Sequence, residues 1–341
     1  MKYELGTLAL PGNPAARRVR LTDERSGIRV SVVPEAGGEI ASFQVRLAGK
    51  WTEILHRAED YRSAPPDGWD GRAPLLWPAV GRSFTPEQIA RWRVTGRKPR
   101  SCRYRLHGEM HRIPNHGFAR KFPWELEDCA AEAGSAWVRC SLRSSPATMP
   151  MYPFDFALSA TCTLAGGSVL LRYEATAGAN RLKMPLAIGN HVSFRMPFTD
   201  AGRFEDCTIR TPAKTRLFLD ELNLLSGDCE RVNLLQATPL ARTEFLDAVL
   251  GGYRRRDAWF ELADPASLTM RVSHAEQRAG GPFLAAERNI LFVLWGSREH
   301  RYFCPEPWIG RPNALNSVRG RVALSPGGRF VWEIRFTPVP R

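Results

Sequence analysis

Three things are scarce in this chain of 341 residues: long apolar runs, paired cysteines and helical periodicity. No stretch approaches the ~18 apolar residues that a membrane-spanning helix needs. The opening Met1-Lys2-Tyr3-Glu4-Leu5-Gly6 lacks the apolar stretch of a signal peptide, so the expectation is a soluble cytoplasmic protein. The seven cysteines (Cys102, Cys129, Cys140, Cys162, Cys207, Cys229 and Cys304) are scattered, odd in number and form no C-x-x-C pair. That argues against a disulfide framework and against a zinc site, and leaves them as small buried hydrophobes. Nor is there a fixed-period repeat, or a linker rich enough in Pro, Gly or Ser to divide the chain, which is read as one domain over residues 1–341.

Charge is present but not concentrated. The formal net charge is +13, carried mostly by dispersed arginines, with the densest runs at Arg91-Trp92-Arg93 through Arg100 and at Arg254-Arg255-Arg256. Neither run sits in a nucleic-acid-binding motif, so an arginine-rich surface is preferred to a DNA or RNA partner. An anionic small molecule remains a second reading, because guanidinium grips phosphate well.

What the chain has in quantity is strands. Hydrophobic residues make up 43% of it, enough for a large core. Gly27 to Val33 and Ile40 to Leu47 alternate. Ala136 to Leu142, Phe154 to Leu164, Ser168 to Ala175, Ser267 to Ser273, Ile290 to Trp295 and Phe330 to Phe336 are short, rich in β-branched or aromatic residues, and bounded by Gly, Pro, Ser or Asp. One short helix is predicted from Pro86 to Trp92 behind a Thr85 cap, and a long loop from Tyr61 to Gly71. The fold class is therefore all-β, a sandwich or barrel.

Polar islands interrupt these strands, expected at strand ends or turns: Pro78-Ala79-Val80-Gly81-Arg82, Asn115-His116-Gly117-Phe118-Ala119-Arg120, Gly189-Asn190-His191 and Pro305-Glu306-Pro307-Trp308. They supply two imidazoles, one carboxylate, two guanidiniums and an indole, which suits holding a sugar and moving protons on and off its oxygens. Each residue has a blander reading: His116 and His191 as turn histidines, Glu306 and Arg82 as surface charges, Trp308 as core. His107 and His111 stand at His-x3-His spacing, which on a helix would offer two metal ligands, but Gly108 and Pro114 disfavour a helix there.

The order of the islands resembles the aldose 1-epimerase (galactose mutarotase) family. The resemblance begins at Pro34 with Gly37-Gly38 and Ser42, and runs through Pro74-Leu75-Leu76-Trp77-Pro78-Ala79-Val80-Gly81-Arg82 to Ile113-Pro114-Asn115-His116-Gly117-Phe118-Ala119-Arg120 with Pro123-Trp124. It continues through Tyr152-Pro153-Phe154-Asp155-Phe156, Met184-Pro185 and Gly189-Asn190-His191, and ends with Glu306-Pro307-Trp308, Gly310 and Pro312-Asn313-Ala314-Leu315. It departs where Val192-Ser193-Phe194 follow His191, since relatives often carry proline and an aromatic there.

The resemblance implies a large antiparallel β-sandwich with a sugar site on a concave sheet face. It implies catalysis by Glu306 as general base and a protonated His191 as general acid, and substrate binding by His116, Arg82, Asp257, Trp308 and Asn190. Asp257 is the match for an aspartate expected between the second histidine and the glutamate, with Asp247 its rival. The reaction would interconvert the α and β anomers of an aldose with no metal or organic cofactor; a small sugar is the only partner implied. The alternatives are a non-catalytic carbohydrate-binding protein, a hexose 6-phosphate 1-epimerase, and a lyase or hydrolase on a related sandwich. A hydrolase needs a second flanking carboxylate, which no island supplies.

Overall fold

The computed structural model describes residues 3–10, 13–57, 71–254, 258–277 and 287–341. The expected loop from Tyr61 to Gly71, Gly71 apart, lies outside the described residues, as do Arg255, Arg256 and Asp257.

Antiparallel strands dominate. One sheet has nine strands, in the spatial order 234–239, 208–211, 259–263, 268–277, 329–340, 168–177, 156–165, 136–143 and 125–131. A second has its strands in the order 225–231, 215–219, 247–251, 290–297, 302–309, 188–190 and 75–76, with 194–195 also paired to 302–309. A five-stranded meander covers 3–10, 13–23, 28–33, 39–47 and 50–53.

The pleat explains why these sequences form strands. Along Phe156–Ala165 buried and half-buried residues alternate without a break, so one face of the strand packs and the other stays wetter. The inward rows of the two large sheets meet through aromatic rings. Phe260 of the nine-stranded sheet stacks on Phe303 at 5.9 Å and lies 5.7 Å from Phe292, both in the opposing sheet. Phe43 of the meander meets Phe336 edge-on at 6.2 Å, tying the third sheet to the same core. One contiguous buried cluster reaches from Tyr3 to Phe336.

The helix spans Pro86–Thr95, three residues longer than the sequence suggested. Thr85 caps it in a reciprocal box with Gln88, Pro86 opens its first turn, and Gly96 closes it in the left-handed region. It buries none of its residues, which is why no apolar stripe announced it. His107 and His111 fall on a hairpin of strands 103–106 and 109–112, and so do not share a helical face. Five of the cysteines are buried, in keeping with their reading as core hydrophobes. Among the described residues no helix is long and apolar enough to cross a membrane.

Candidate active site

The site lies on the face of the second large sheet turned away from the inter-sheet core. In the strand Tyr302–Ile309, Phe303 points into that core, and Glu306 and Trp308, of the opposite parity, line a cavity of about 310 Å³. Cross-strand register extends the floor. Glu306 pairs with Val293 and Val293 with Val249, while one step along the sheet Asp247 pairs with Trp295. Glu306 was expected at a strand end or turn, yet it stands inside a strand that is buried along its whole length. Two prolines can flank it there because the neighbouring strand is interrupted. Strand 188–190 pairs with residues 308 and 309, strand 194–195 with residues 302 and 303, and neither pairs with the stretch between. A residue without an N–H is tolerated best opposite such a gap.

The chain leaving Asn190 fills that gap with His191. Its Nε2 lies 3.3 Å from Glu306 Oε1, and both side chains are almost wholly buried. The other carboxylate oxygen, Oε2, accepts the Trp308 indole N–H at 3.1 Å. Trp308 can lie this close to the sheet because Gly189 is beside it: a Cβ at that position would stand 2.6 Å from indole Cδ1. The two other islands are stapled to each other. His116 N–H donates to the Gly81 carbonyl at 3.1 Å, and Gly81 N–H donates to His116 Nδ1 at 3.1 Å. Since Nδ1 accepts a backbone proton, the ring's own proton belongs on Nε2. The turn needs Gly117, whose φ is +72° and whose Cβ would meet the Trp77 carbonyl oxygen at 2.1 Å. Asn313 holds the Arg82 loop from the far side: its N–H donates to the Arg82 carbonyl at 2.8 Å and its Oδ1 accepts from Phe84 N–H at 2.9 Å.

The result is one constellation. The His116 ring stands edge-on to His191 at 5.8 Å and to Trp308 at 5.9 Å, and the His191 ring meets Trp295 at 5.5 Å. Arg82, Arg120, Asn115, Asn223 and Asp247 complete the polar lining. Burial dominates the electrostatics. Desolvation pushes the Glu306 carboxyl well above the usual carboxylate range, opposed by the Trp308 hydrogen bond. It pulls His191 down to about 3, with the Arg120 guanidinium adding to the fall, and holds His116 well below its ordinary value, aided by His191, Arg120 and Arg82. Asp247 is raised, again by desolvation, against the pull of Arg216. The expectation of a standing imidazolium at His191 near neutral pH is thereby corrected: burial favours the uncharged form of each partner, and leaves one transferable proton in the pair.

Of the residues singled out in the sequence, Arg82, His116, His191, Glu306 and Trp308 line this cavity together. Asn190 does not. It sits one residue out of phase, on the opposite face of the sheet, and its amide donates to the Ala73 carbonyl at 3.0 Å and to Tyr173 Oη at 3.1 Å. Asp257 lies outside the described residues, and its rival Asp247 is the aspartate on the cavity wall. Trp308 answers both of its readings, being buried and lining the site.

Residues 17–278 match the family profile described as aldose 1-epimerase. The chain belongs to the aldose 1-epimerase family. That match takes in Arg82, His116, His191 and Asp247 and ends before Glu306 and Trp308. Chromosomal protein LacX of Lactococcus lactis subsp. lactis is 27% identical over 275 residues, covering 79% of this chain and 84% of LacX. The fold likeness spans the C-terminal part as well. The Slr1438 protein of Synechocystis sp. PCC 6803 aligns over 98% of this chain and 99% of its own, with a TM-score of 0.73 and 24% identity. The galactose 1-epimerase of Lactobacillus acidophilus NCFM aligns over 100% and 99%, with a TM-score of 0.70 and 15% identity.

Within this aldose 1-epimerase family member, Trp295, Asn223 and Leu219 are wall residues that no motif announced, while Pro312 belongs to the quoted Pro312-Asn313-Ala314-Leu315 stretch, where it had no assigned role. Trp295 closes a strand that was recognised, and its parity with Val293 puts it on the cavity face. Arg120 and Asn115 were within a recognised island without an assigned role.

Proposed function

We propose that the chain is a mutarotase, a single domain over residues 1–341 that interconverts the anomers of an aldose by acid and base catalysis. The observation that carries this reading is the His191–Glu306 pair, 3.3 Å apart on the floor of the cavity. The anomeric hydroxyl and the ring oxygen of an aldose are both bonded to C1, so a proton acceptor and a proton donor that close together can address both at once.

Glu306 takes the proton from the anomeric hydroxyl as the C1–O5 bond breaks, and His191 delivers a proton to O5. The electron pair of the O1–H bond becomes the carbonyl π bond and that of the C1–O5 bond passes to O5. Rotation about C1–C2 presents the other carbonyl face, and the transfers run backward to close the ring. The pair needs one proton between its members at the start and holds one at the end. Burial alone would park that proton on Glu306; the Trp308 N–H works the other way, and sugar hydroxyls donating to the carboxylate would add to it. In this reading the cavity-lining His116 Nε2–H, Arg82 and Asp247 bind ring hydroxyls, with Trp308 and Trp295 as apolar walls. A simple sugar-binding module has no need of a buried acid–base pair, whose desolvation is costly.

Polarimetry on freshly dissolved α-anomers tests the reading. Glu306→Gln and His191→Ala are each expected to lose about 10²–10⁴-fold in rate while keeping the wild-type circular dichroism. Full activity in either variant would reject the roles of Glu306 as base and His191 as acid.

A further inference from the structure

The strand Tyr302–Ile309 meets the chain from Ile188 to Arg195 in one register on both sides of the interruption: Gly189 stands opposite Trp308, and Phe194 opposite Phe303. Carried through the gap with no residue gained or lost, that register sets His191 opposite Glu306 and Ser193 opposite Cys304. Residues 304, 306 and 308 share a parity, so these two pairs are successive neighbours on one face of the sheet. Pro305 and Pro307 stand opposite Val192 and Asn190, and bring no N–H to a backbone ladder.

The backbone of the His191 segment is tethered on its other side, to residues 72–74. His191 N–H donates to the Pro74 carbonyl at 3.0 Å and Ser193 N–H to the Arg72 carbonyl at 2.8 Å, while the Asn190 amide reaches the Ala73 carbonyl. Toward the Glu306 strand, contacts run between side chains. One is the acid–base pair itself. Another is a relay: the Cys304 thiol donates to Ser193 Oγ at 3.4 Å, and the Ser193 hydroxyl donates to the His191 carbonyl at 3.1 Å. Ser193 and Cys304 are both fully buried. Burial, with Glu306 adding to it, holds the Cys304 thiol well above its ordinary value, so the sulfur keeps the proton it donates. A hydroxyl that accepts one hydrogen bond donates the next more strongly, and both gain where water is excluded.

Ser193 falls in the Val192-Ser193-Phe194 stretch, where the sequence departs from its relatives. Resting on the anomerisation reading, we infer that Ser193 and Cys304 are positioning residues: a hydroxyl–thiol clasp that stands in for the ladder bonds the prolines remove, and sets the spacing of His191 from Glu306. Neither side chain lines the cavity. They act through the main chain of His191 on one side and the strand of Glu306 on the other. An alanine at position 193 removes the hydroxyl that holds the His191 carbonyl and the acceptor of the Cys304 thiol. The imidazole is then free to move relative to the carboxylate, and a misplacement of about 1 Å costs on the order of 10²-fold in rate.

Two readouts separate this inference from the reading it rests on, each applied to the wild type and to Ser193→Ala, Cys304→Ala and Cys304→Ser. Anomer exchange of glucose and galactose by saturation-transfer NMR gives kcat and KM. Crystal structures of the same four proteins measure the His191 Nε2–Glu306 Oε1 separation without any turnover. Ser193→Ala is expected to lower kcat about tenfold or more with KM near the wild-type value, and to widen the pair beyond hydrogen-bond reach. Cys304→Ala is expected to act in the same direction. Cys304→Ser, whose hydroxyl donates in place of the thiol, is expected to lie closer to the wild type in both readouts. Unchanged kcat with an unchanged separation overturns the clasp and leaves the mutarotase reading intact, whatever the thermal midpoint does. A raised KM at unchanged kcat overturns it too, since it marks loss of binding. Wild-type exchange no faster than buffer overturns the mutarotase reading, and the separations then decide the clasp: widened in the alanine variants and restored in Cys304→Ser upholds it, and unmoved overturns it. If Ser193→Ala does not fold, the two Cys304 variants carry the same comparison.

Discussion

At the scale of single residues, the site works by withholding water from a carboxyl and an imidazole and giving back one directed donor, the indole N–H of Trp308. That N–H is what opposes the desolvation of Glu306. Trp308→Phe keeps an aromatic wall and removes the donor, so the carboxyl should bind its proton more tightly. If ionised Glu306 is the base, the acid limb of the kcat/KM profile should move to higher pH in this variant. A limb that stays in place would disconnect the indole from the titration. The residue scale is also where sequence reasoning went astray. Asn190 and His191 are neighbours in one island, but adjacent residues of a strand face opposite ways, and only the second reaches the cavity. The same ambiguity hid Trp295, and Asp247 lies in a strand, Asp247–Gly251, too short to be recognised.

At the scale of elements, the functional side chains are held by a few close approaches that only glycine permits. Gly189→Ala would push the Trp308 indole off the sheet, since the new Cβ falls 2.6 Å from Cδ1. Overpacking of this kind costs about 1–3 kcal/mol, and here the displaced group is the partner of Glu306, so activity is expected to fall more than stability does. Gly117→Ala meets a backbone oxygen at 2.1 Å with φ at +72°, and neither can relax cheaply. It should lower the thermal midpoint as well as activity; a variant with the wild-type midpoint would contradict so close an approach of Gly117 to Trp77. The elements themselves were largely legible. Strand boundaries followed the alternation and its punctuation, as at Ile28–Val33, Ala136–Arg143 and Ile290–Ser297. Which strand pairs with which was not, because pairing such as 168–177 with 329–340 joins segments with no local signal for each other.

At the scale of the whole molecule, two sheets enclose a core that also buries titratable groups unrelated to the site. His274 lies between them, its Nδ1 accepting the Trp332 indole N–H at 3.1 Å, and burial pulls it from 6.5 to about 3. Its folded value is the lower one, so the unfolded chain takes up the proton first. The stability it contributes is present above pH 6.5 and lost as pH falls toward 3, with a slope of about 1.4 kcal/mol per pH unit. His191 and His116 shift in the same direction. The raised carboxyls of Glu306, Asp247 and Glu53 shift the opposite way and gain stability as pH falls, so the ring's share is read by difference. In denaturant titrations between about pH 7 and pH 4 the wild type should lose stability relative to His274→Gln, and a difference that stays constant with pH would mean that the His274 ring is not held uncharged.

Chemistry and architecture meet in the His191–Glu306 pair. Saturation transfer between the α and β anomeric protons of an aldose, recorded with and without enzyme, measures what that pair is claimed to do. Exchange far faster than in buffer for the wild type, returning to the buffer rate in Glu306→Gln, is the expected result. Wild-type exchange no faster than buffer across neutral and phosphorylated aldoses, or undiminished exchange in Glu306→Gln, would contradict it.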